Sequence, residues 1–242
     1  MSVPVFWLPA GEIGPGAPLT LAGAEGHHAA DVRRLRPGEA VELVDGAGVR
    51  ACGRVASVEP GSLRIDVETV TREPAPAPRL VVVQALPKGN RGELAVGLLT
   101  EVGVDVIVPW AAARCVTQWR GERSEKALER WRSTAREAAK QSRRAWAPLV
   151  APLATTAQVR SLVDDAALAL VLHESAPGGL PDDIPDIGDV VVVVGPEGGV
   201  TDDELEAFAA AHVVRMGESV LRTSTAGVIA AAALLSRTPR WG

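Results

Sequence analysis

The run VVVVVGPEGGVTDDE, residues 190–204, joins five uninterrupted valines to a glycine turn and a helix start. Five valines with no polar break cannot form a strand wetted on one face, so they predict a short strand covered on both sides, as in a parallel α/β sheet. The strand stops at Gly195. Pro196 has no N–H to give a ladder, Gly198 and Gly199 tolerate backbone angles closed to other residues, and Thr201 with Glu204 three positions on forms a capping box. The expected unit is strand, tight turn, helix N-terminus.

In open α/β sheets, ligands collect at such turns, where backbone N–H groups and the positive end of a helix approach them. A phosphate loop requires Lys followed by Ser or Thr after the glycines, a dinucleotide fold requires GxGxxG, and the chain contains neither. The turn instead carries Glu197 and is followed by Asp202 and Asp203. That chemistry suits a ligand with hydroxyls, amides and a positive centre better than a polyphosphate. An ordinary strand-to-helix turn without a ligand is the competing reading.

Working outward, residues 80–86, 104–108, 167–172 and 213–216 read as further strands, and 91–102 as an apolar-faced helix stopped by Gly103. Residues 120–144 form a helix with nine basic side chains against four acidic ones, and with Ala127, Leu128, Trp131, Ala135 and Ala138 as its apolar stripe. It is either a solvated helix laced by ion pairs or a basic surface for RNA ending at Arg143 and Arg144. Residues 226–235 are apolar nearly all round and must be buried, under the sheet or against a second subunit. Arg222 precedes that helix, as a structural ion-pair partner or as a functional group.

Upstream, TREPAPAPR (71–79) alternates proline with alanine, favours extended geometry and has little to bury, which makes it the domain boundary. We expect domains at 1–72 and 80–242 with a Pro-rich linker at 73–79. From Ser2 to about Val70, short strands at 3–8, 41–44, 50–58 and 62–70, with a hairpin signal at Asp45-Gly46, predict a small β-rich barrel. A helix at about 25–35 interrupts it, carrying His27, His28, Arg33 and Arg34 with Arg36 just beyond. The histidines read as a cap or packed pair; the arginines read as phosphate contacts or as a solvated face.

The chain of 242 residues is 47% hydrophobic with formal charge −5, which supports real cores and argues against indiscriminate coating of nucleic acid. Cys52, Cys115 and four histidines show no metal-ligand spacing and no disulfide framework. The start, MSVPVFWLPA, has no signal-peptide pattern and no apolar run is long enough to span a membrane. The expectation is a cytoplasmic protein without metal.

With these segments in place, the sequence resembles the RsmE family, the 16S ribosomal RNA uridine N3-methyltransferases of the SPOUT superfamily. The resemblance runs nearly end to end, through HHAADVRRLRPGE, VELVDGAG, QALPKGNRGELAV, TEVGVDVIVPW, EAAKQSRR and LHES to VVVGPEGGVTDDE and MGESVLRTSTA. It implies a PUA-like barrel followed by an α/β methyltransferase domain with a parallel sheet and a deep trefoil knot, working as a homodimer on 16S rRNA of the small ribosomal subunit. It implies S-adenosyl-L-methionine as cofactor, held by three loops: at Leu172, His173 and Glu174; at 195–200, through Gly195, Pro196, Glu197, Gly198 and Gly199; and at 216–221, through Met216, Gly217, Val220 and Leu221.

The family's last loop commonly reads LGPRVLRTET; here Met216, Glu218, Ser219 and Ser224 depart from it, while Leu221-Arg222-Thr223 is intact. Uridine N3 carries a proton at neutral pH, so a site must remove it or stabilise the anion. Arg222 cannot be the base but can hold the carbonyl oxygens that share the charge. RNA contacts are expected at Arg33, Arg34, Arg36, Lys88, Arg91, Arg143 and Arg144. Ribose 2′-O-methylation by a related enzyme and a non-catalytic ribosome-assembly factor are the alternative readings.

Overall fold

The computed structural model describes residues 3–14 and 18–241; Ser2, where the first strand-rich stretch begins, lies outside the described residues. The chain divides into two compact units, Met1–Ala75 with Ala139–Ala147, and Pro76–Ala138 with Pro148–Gly242. A single boundary at 73–79 leaves 139–147 in the second unit, whereas those residues belong to the first.

In the first unit, β1 (Val5–Trp7), β2 (Leu19–Leu21), β3 (Ala40–Val44), β4 (Val49–Glu59) and β5 (Ser62–Arg72) make one sheet in the order β1-β3-β4-β5-β2. Two register shifts in the β4–β5 ladder bend the long hairpin. The described ladder is a half-barrel left open at β1 and β2, and its alternate residues Leu43, Leu63 and Ile65 meet Phe6 and Leu21 in a dry core. Asp45 turns the β3–β4 hairpin by accepting from the N–H groups of Ala47 (2.8 Å) and Val49 (2.9 Å).

The helix expected at 25–35 is corrected. An α-helical turn, α1 (Gly23–His27), passes into a π-helical turn over His28–Val32, with the Arg33 N–H donating to the His28 carbonyl at 2.8 Å. Hydrophobic periodicity reports which residues face the core, and Ala29 does so at 0% exposure. It does not register one extra residue in a turn. His27, its side chain exposed, hydrogen-bonds Asp31, while His28 packs edge-on against Phe6.

The second unit contains β6 (Arg79–Ala85), α2 (Arg91–Val102), β7 (Val106–Trp110), α3 (Glu122–Gln141, counted here as far as Ala138), β8 (Leu149–Val150), α4 (Thr156–Asp164), β9 (Leu168–Leu172), β10 (Asp189–Val194), α5 (Asp202–Ala207), β11 (His212–Val214) and α6 (Thr223–Leu235). All six strands are parallel, in the order β11-β9-β10-β6-β7-β8.

The valine strand, β10, lies between β9 and β6. Its even-numbered valines pack with α2, α3 and α6, and its odd-numbered ones with α4 and Phe208 on the opposite face. All five are at most 2% exposed, and burying each is worth roughly 2 kcal/mol. The strands expected at 104–108 and 213–216 start or end about two residues away from their expected places, and α3 is shorter than expected at both ends. Element boundaries depend on ladder partners that local sequence does not name. β8 and α4 add to the expected elements: two residues of strand leave no period to detect.

Candidate functional site

The loops that follow β9, β10 and β11 meet at the C-terminal edge of the parallel sheet and enclose a cavity of about 350 Å³. Backbone hydrogen bonds hold them together. His173 donates to the Val214 carbonyl (2.9 Å) and Arg215 to Gly178 (2.8 Å), tying the first loop to the third; Gly199 donates to Pro196 (2.9 Å), closing the middle turn. Gln84, 1% exposed on β6, donates to the Thr223 carbonyl at 3.3 Å and so fixes the start of α6 against the sheet.

From the first loop Leu172, His173 and Glu174 line the cavity, from the second Gly195, Pro196, Glu197 and Gly199, and from the third Met216, Gly217, Val220 and Leu221. Gly199, at φ +76°, takes the left-handed conformation that lets the turn double back. Gly198 is off the cavity wall. A Cβ there would stand 3.0 Å from the Cβ of Arg114, whose guanidinium donates to the Gly198 carbonyl at 3.0 Å, so this glycine serves packing against the loop after β7. Sequence reasoning missed Val194, Arg215, Thr223 and Ala226 on the wall, while Val200, the end of the expected second loop, lines it. Their positions at strand ends and at the first turns of the helices were the available signal. Glu218 and Ser219, inside the expected third loop although they depart from the family's motif, also line the cavity.

Arg222 is the N-cap residue of α6. Its carbonyl accepts from the N–H groups of Thr225 and Ala226, both at 2.9 Å, while its exposed guanidinium has no ion pair or hydrogen bond among the described residues. That fixes the backbone and leaves the charge free to meet a ligand at the cavity wall, which disfavours the structural ion-pair reading. Glu197 differs: its carboxylate accepts from the Lys88 N–H at 3.1 Å and lies 3.9 Å from the Arg91 guanidinium. It braces the turn against the loop after β6. Lys88 and Arg91 therefore sit beside this cavity, and Arg91 lines it.

The other arginines singled out from sequence belong to the first unit. Arg33, Arg34 and Arg36 are exposed. Arg143 pairs with Glu42 at 3.9 Å and donates to the Val3 carbonyl at 2.6 Å, and Arg144 donates its N–H to the Ala139 carbonyl at 2.9 Å. On α3, ion pairs with Glu93 and Glu129 occupy Arg130, Arg132 and Arg136. The middle of this helix thus behaves as the solvated, ion-paired surface, and the unspent basic groups lie elsewhere.

The turn is anchored from behind by Glu204. Only 4% exposed, it completes the capping box with Thr201 and accepts the Ala113 N–H at 2.7 Å, clamping the loop after β7 to α5. Glu204→Ala removes the cap and orphans that N–H, with an expected loss of about 2 kcal/mol in urea unfolding; a loss below roughly 0.5 kcal/mol would refute the clamp. Near it, burial pushes the Cys115 thiol pKa up. Less thiolate forms at a given pH, so iodoacetamide labelling of Cys115 at pH 8 is expected to run at least several-fold slower than that of a free cysteine, and to recover as pH rises. Labelling of native protein as fast as of urea-unfolded protein would contradict this.

Among the described residues no group of acidic, histidine or cysteine side chains is arranged to hold a metal ion, and no helix is long and apolar enough to cross a membrane. The family model of an RNA methyltransferase domain matches residues 73–235, and that of an RNA methyltransferase PUA domain matches residues 21–68. Curated relatives named ribosomal RNA small subunit methyltransferase E include one from Mycobacterium bovis, 46% identical over 233 residues, covering 93% of this chain and 89% of the relative. Another, from Bacillus subtilis, is 29% identical and covers 91% and 90%. A crystal structure of the Neisseria gonorrhoeae ribosomal RNA small subunit methyltransferase E bound to S-adenosyl methionine superposes with a TM-score of 0.85 at 27% identity, covering 97% of this chain and 98% of that one. With a matching methyltransferase model over most of its length and a relative at 46% identity, the chain belongs to the RNA methyltransferase family whose curated relatives are called ribosomal RNA small subunit methyltransferase E.

Proposed function

We propose that this protein transfers a methyl group from S-adenosyl-L-methionine to N3 of a uridine in the 16S rRNA of the small ribosomal subunit. The observation that carries the reading is the convergence of three strand-end loops and Arg222 on one cavity. At about 350 Å³ the cavity falls within the range of small-ligand sites, roughly 300–1,000 Å³. Its wall combines apolar surface from Leu172, Val194, Val200 and Leu221 with the carboxylates of Glu174, Glu197 and Glu218. That mixture fits a molecule with an aromatic base, a thioether-like arm and positive charge. S-adenosyl-L-methionine supplies a methyl on a sulfonium whose own charge activates the leaving sulfur.

The protein's work lies on the nucleophile. The N3 lone pair forms the new bond to carbon as the carbon–sulfur bond breaks, and the N3 proton must leave. Glu197 is occupied as a brace, so Glu174 and Glu218 are the remaining carboxylates on the wall to accept it. Arg222 donates hydrogen bonds to the uracil carbonyl oxygens, on which the charge of the deprotonated ring spreads. Gly195, Pro196, Gly199, Met216, Gly217 and Val220 shape the pocket with backbone and small surfaces.

Arg33, Arg34, Arg36, Arg143 and Arg144 on the first unit, and Lys88 and Arg91 beside the cavity, are the proposed RNA contacts. The exposed side of α6, with Ile229 40% exposed and Val228 half-buried, supports a homodimer that covers this face. The trefoil knot implied by the sequence resemblance belongs to the second unit in this reading. The protein would act in the cytoplasm, where its substrate is made.

The test is incubation of purified small subunits and of naked 16S rRNA with labelled cofactor, followed by mass spectrometry of the digested nucleosides. 3-Methyluridine is the expected product. A ribose-methylated nucleoside, or no transfer to either substrate, would replace this reading.

A further inference from the structure

We infer that a cleft in the first unit, between β1, the π-helical turn and the 139–147 segment, is a seat for one phosphodiester group of the RNA backbone. The inference rests on the RNA-methylation reading above and gives the first unit a defined part in it. The cleft measures about 150 Å³ and is walled by His28, Arg33, Lys140, Gln141 and Arg143 over Val5 and Phe6. Every charged group on its wall is cationic. Two of the cations are already partnered: Lys140 Nζ lies 2.6 Å from Glu25, and Arg143 reaches Glu42 and the Val3 carbonyl. Arg33 is exposed and has no ion pair or side-chain hydrogen bond among the described residues.

The backbone supplies an independent observation. Among the described residues, Arg34 (φ 54°) and Arg143 (φ 57°) are the non-glycine residues with positive φ. One follows Arg33 directly and the other forms part of the cleft wall. Left-handed backbone at a bulky residue persists only where the surroundings hold it, and such strain gathers at ligand clamps. The π-helical turn that ends at Arg33 is likewise a deviation found mostly at functional positions. Arg33 and Arg143, more than a hundred residues apart in the chain, line one small cleft beside these distortions.

The chemistry that fits is a tetrahedral anion. Guanidinium and ammonium donors and the Gln141 amide can all address phosphate oxygens, and among the described residues no carboxylate lines the wall. The cleft is below the size of a typical organic-ligand pocket, so one phosphate enters while the attached nucleosides run along the surface. A phosphodiester in RNA and free inorganic phosphate share this chemistry, and the experiment separates them.

Full-length wild-type protein, Arg33→Ala and Arg33→Lys are titrated with a 16S rRNA transcript across a salt series, and separately with inorganic phosphate. Arg33→Ala is expected to weaken RNA binding about five- to tenfold and to lower the slope of log K against log salt by about one, while affinity for S-adenosyl-L-methionine stays the same. Arg33→Lys is expected to restore the slope and part of the affinity. Thermal melting checks that the exposed substitution leaves folding intact. Unchanged RNA affinity and slope in Arg33→Ala would overturn the seat, and so would inorganic phosphate binding that depends on Arg33 while RNA binding does not. If Arg33 controls RNA binding but no methyl transfer to 16S rRNA occurs in wild-type protein, the seat stands and the methylation reading falls.

Discussion

Arg222→Ala is expected to reduce methyl transfer to 16S rRNA at least 10²- to 10³-fold while calorimetry with S-adenosyl-L-methionine shows an affinity within a few-fold of wild type; removal of one preorganised donor from a site of developing charge has effects of that order. The split follows from the geometry. Arg222 contributes to the fold through its backbone, since its carbonyl accepts the first hydrogen bonds of α6, and alanine retains that carbonyl. Arg222 lines the cavity and its exposed guanidinium has no partner among the described residues, so truncation removes the charge without orphaning a buried group. Arg222→Lys keeps the charge but loses the planar fork that can face two carbonyl oxygens, and should recover only part of the rate. Turnover near the wild-type value in Arg222→Ala would take this side chain out of the chemistry. Equal loss of cofactor affinity would make it a structural element of the pocket.

Arg240→Ala is expected to destabilise the second unit by about 3–5 kcal/mol, the usual consequence of removing one partner from a buried ion pair. Arg240 follows α6 and returns to the far edge of the sheet, where it meets Asp105 at 2.7 and 3.1 Å and the carbonyls of Pro78 (3.0 Å) and Gly103 (2.8 Å). The two side chains are 14% and 9% exposed, so water replaces the lost donors poorly. Asp105 also accepts the Leu80 N–H at 2.8 Å, which links this cluster to the start of β6. In thermal melts the loss should appear as a fall of about 10 °C for a unit of this size. A fall of less than about 2 °C would show that the pair is neutral to stability. The site lies at the opposite end of the sheet from the cavity, so Arg240→Ala protein that remains folded at low temperature should bind S-adenosyl-L-methionine normally.

The periodic and punctuated features are legible in short stretches of the chain. Five valines can be satisfied only between two apolar layers, and β10 has those layers. Glycine and proline end a strand because of their own backbone chemistry, so the GPEGG turn and the Thr201–Glu204 capping box lie where the residues place them. The motif around Arg222 is legible for the same reason: a short polar loop ahead of an apolar helix is a local pattern.

The rest depends on contacts between residues far apart in the chain. Gly198 and Gly199 are adjacent and chemically identical, yet one packs on Arg114 and the other lines the cavity, a division made by the loop after β7. Glu197 stands in the sequence as a carboxylate at the glycine turn, but Lys88 and Arg91, about a hundred residues earlier, hold it. Arg33 and Arg143 carry no local sign that they share a cleft, because the return of 139–147 to the first unit is a property of the folded chain. The sequence alone determined the strand, the turn, the capped helix and the apolar final helix, since each follows from preferences acting within a few residues. Only the tertiary structure decided which of those turns face one another and which charges remain unpaired, because proximity across a sheet is set by strand order, and strand order is not written in any local segment.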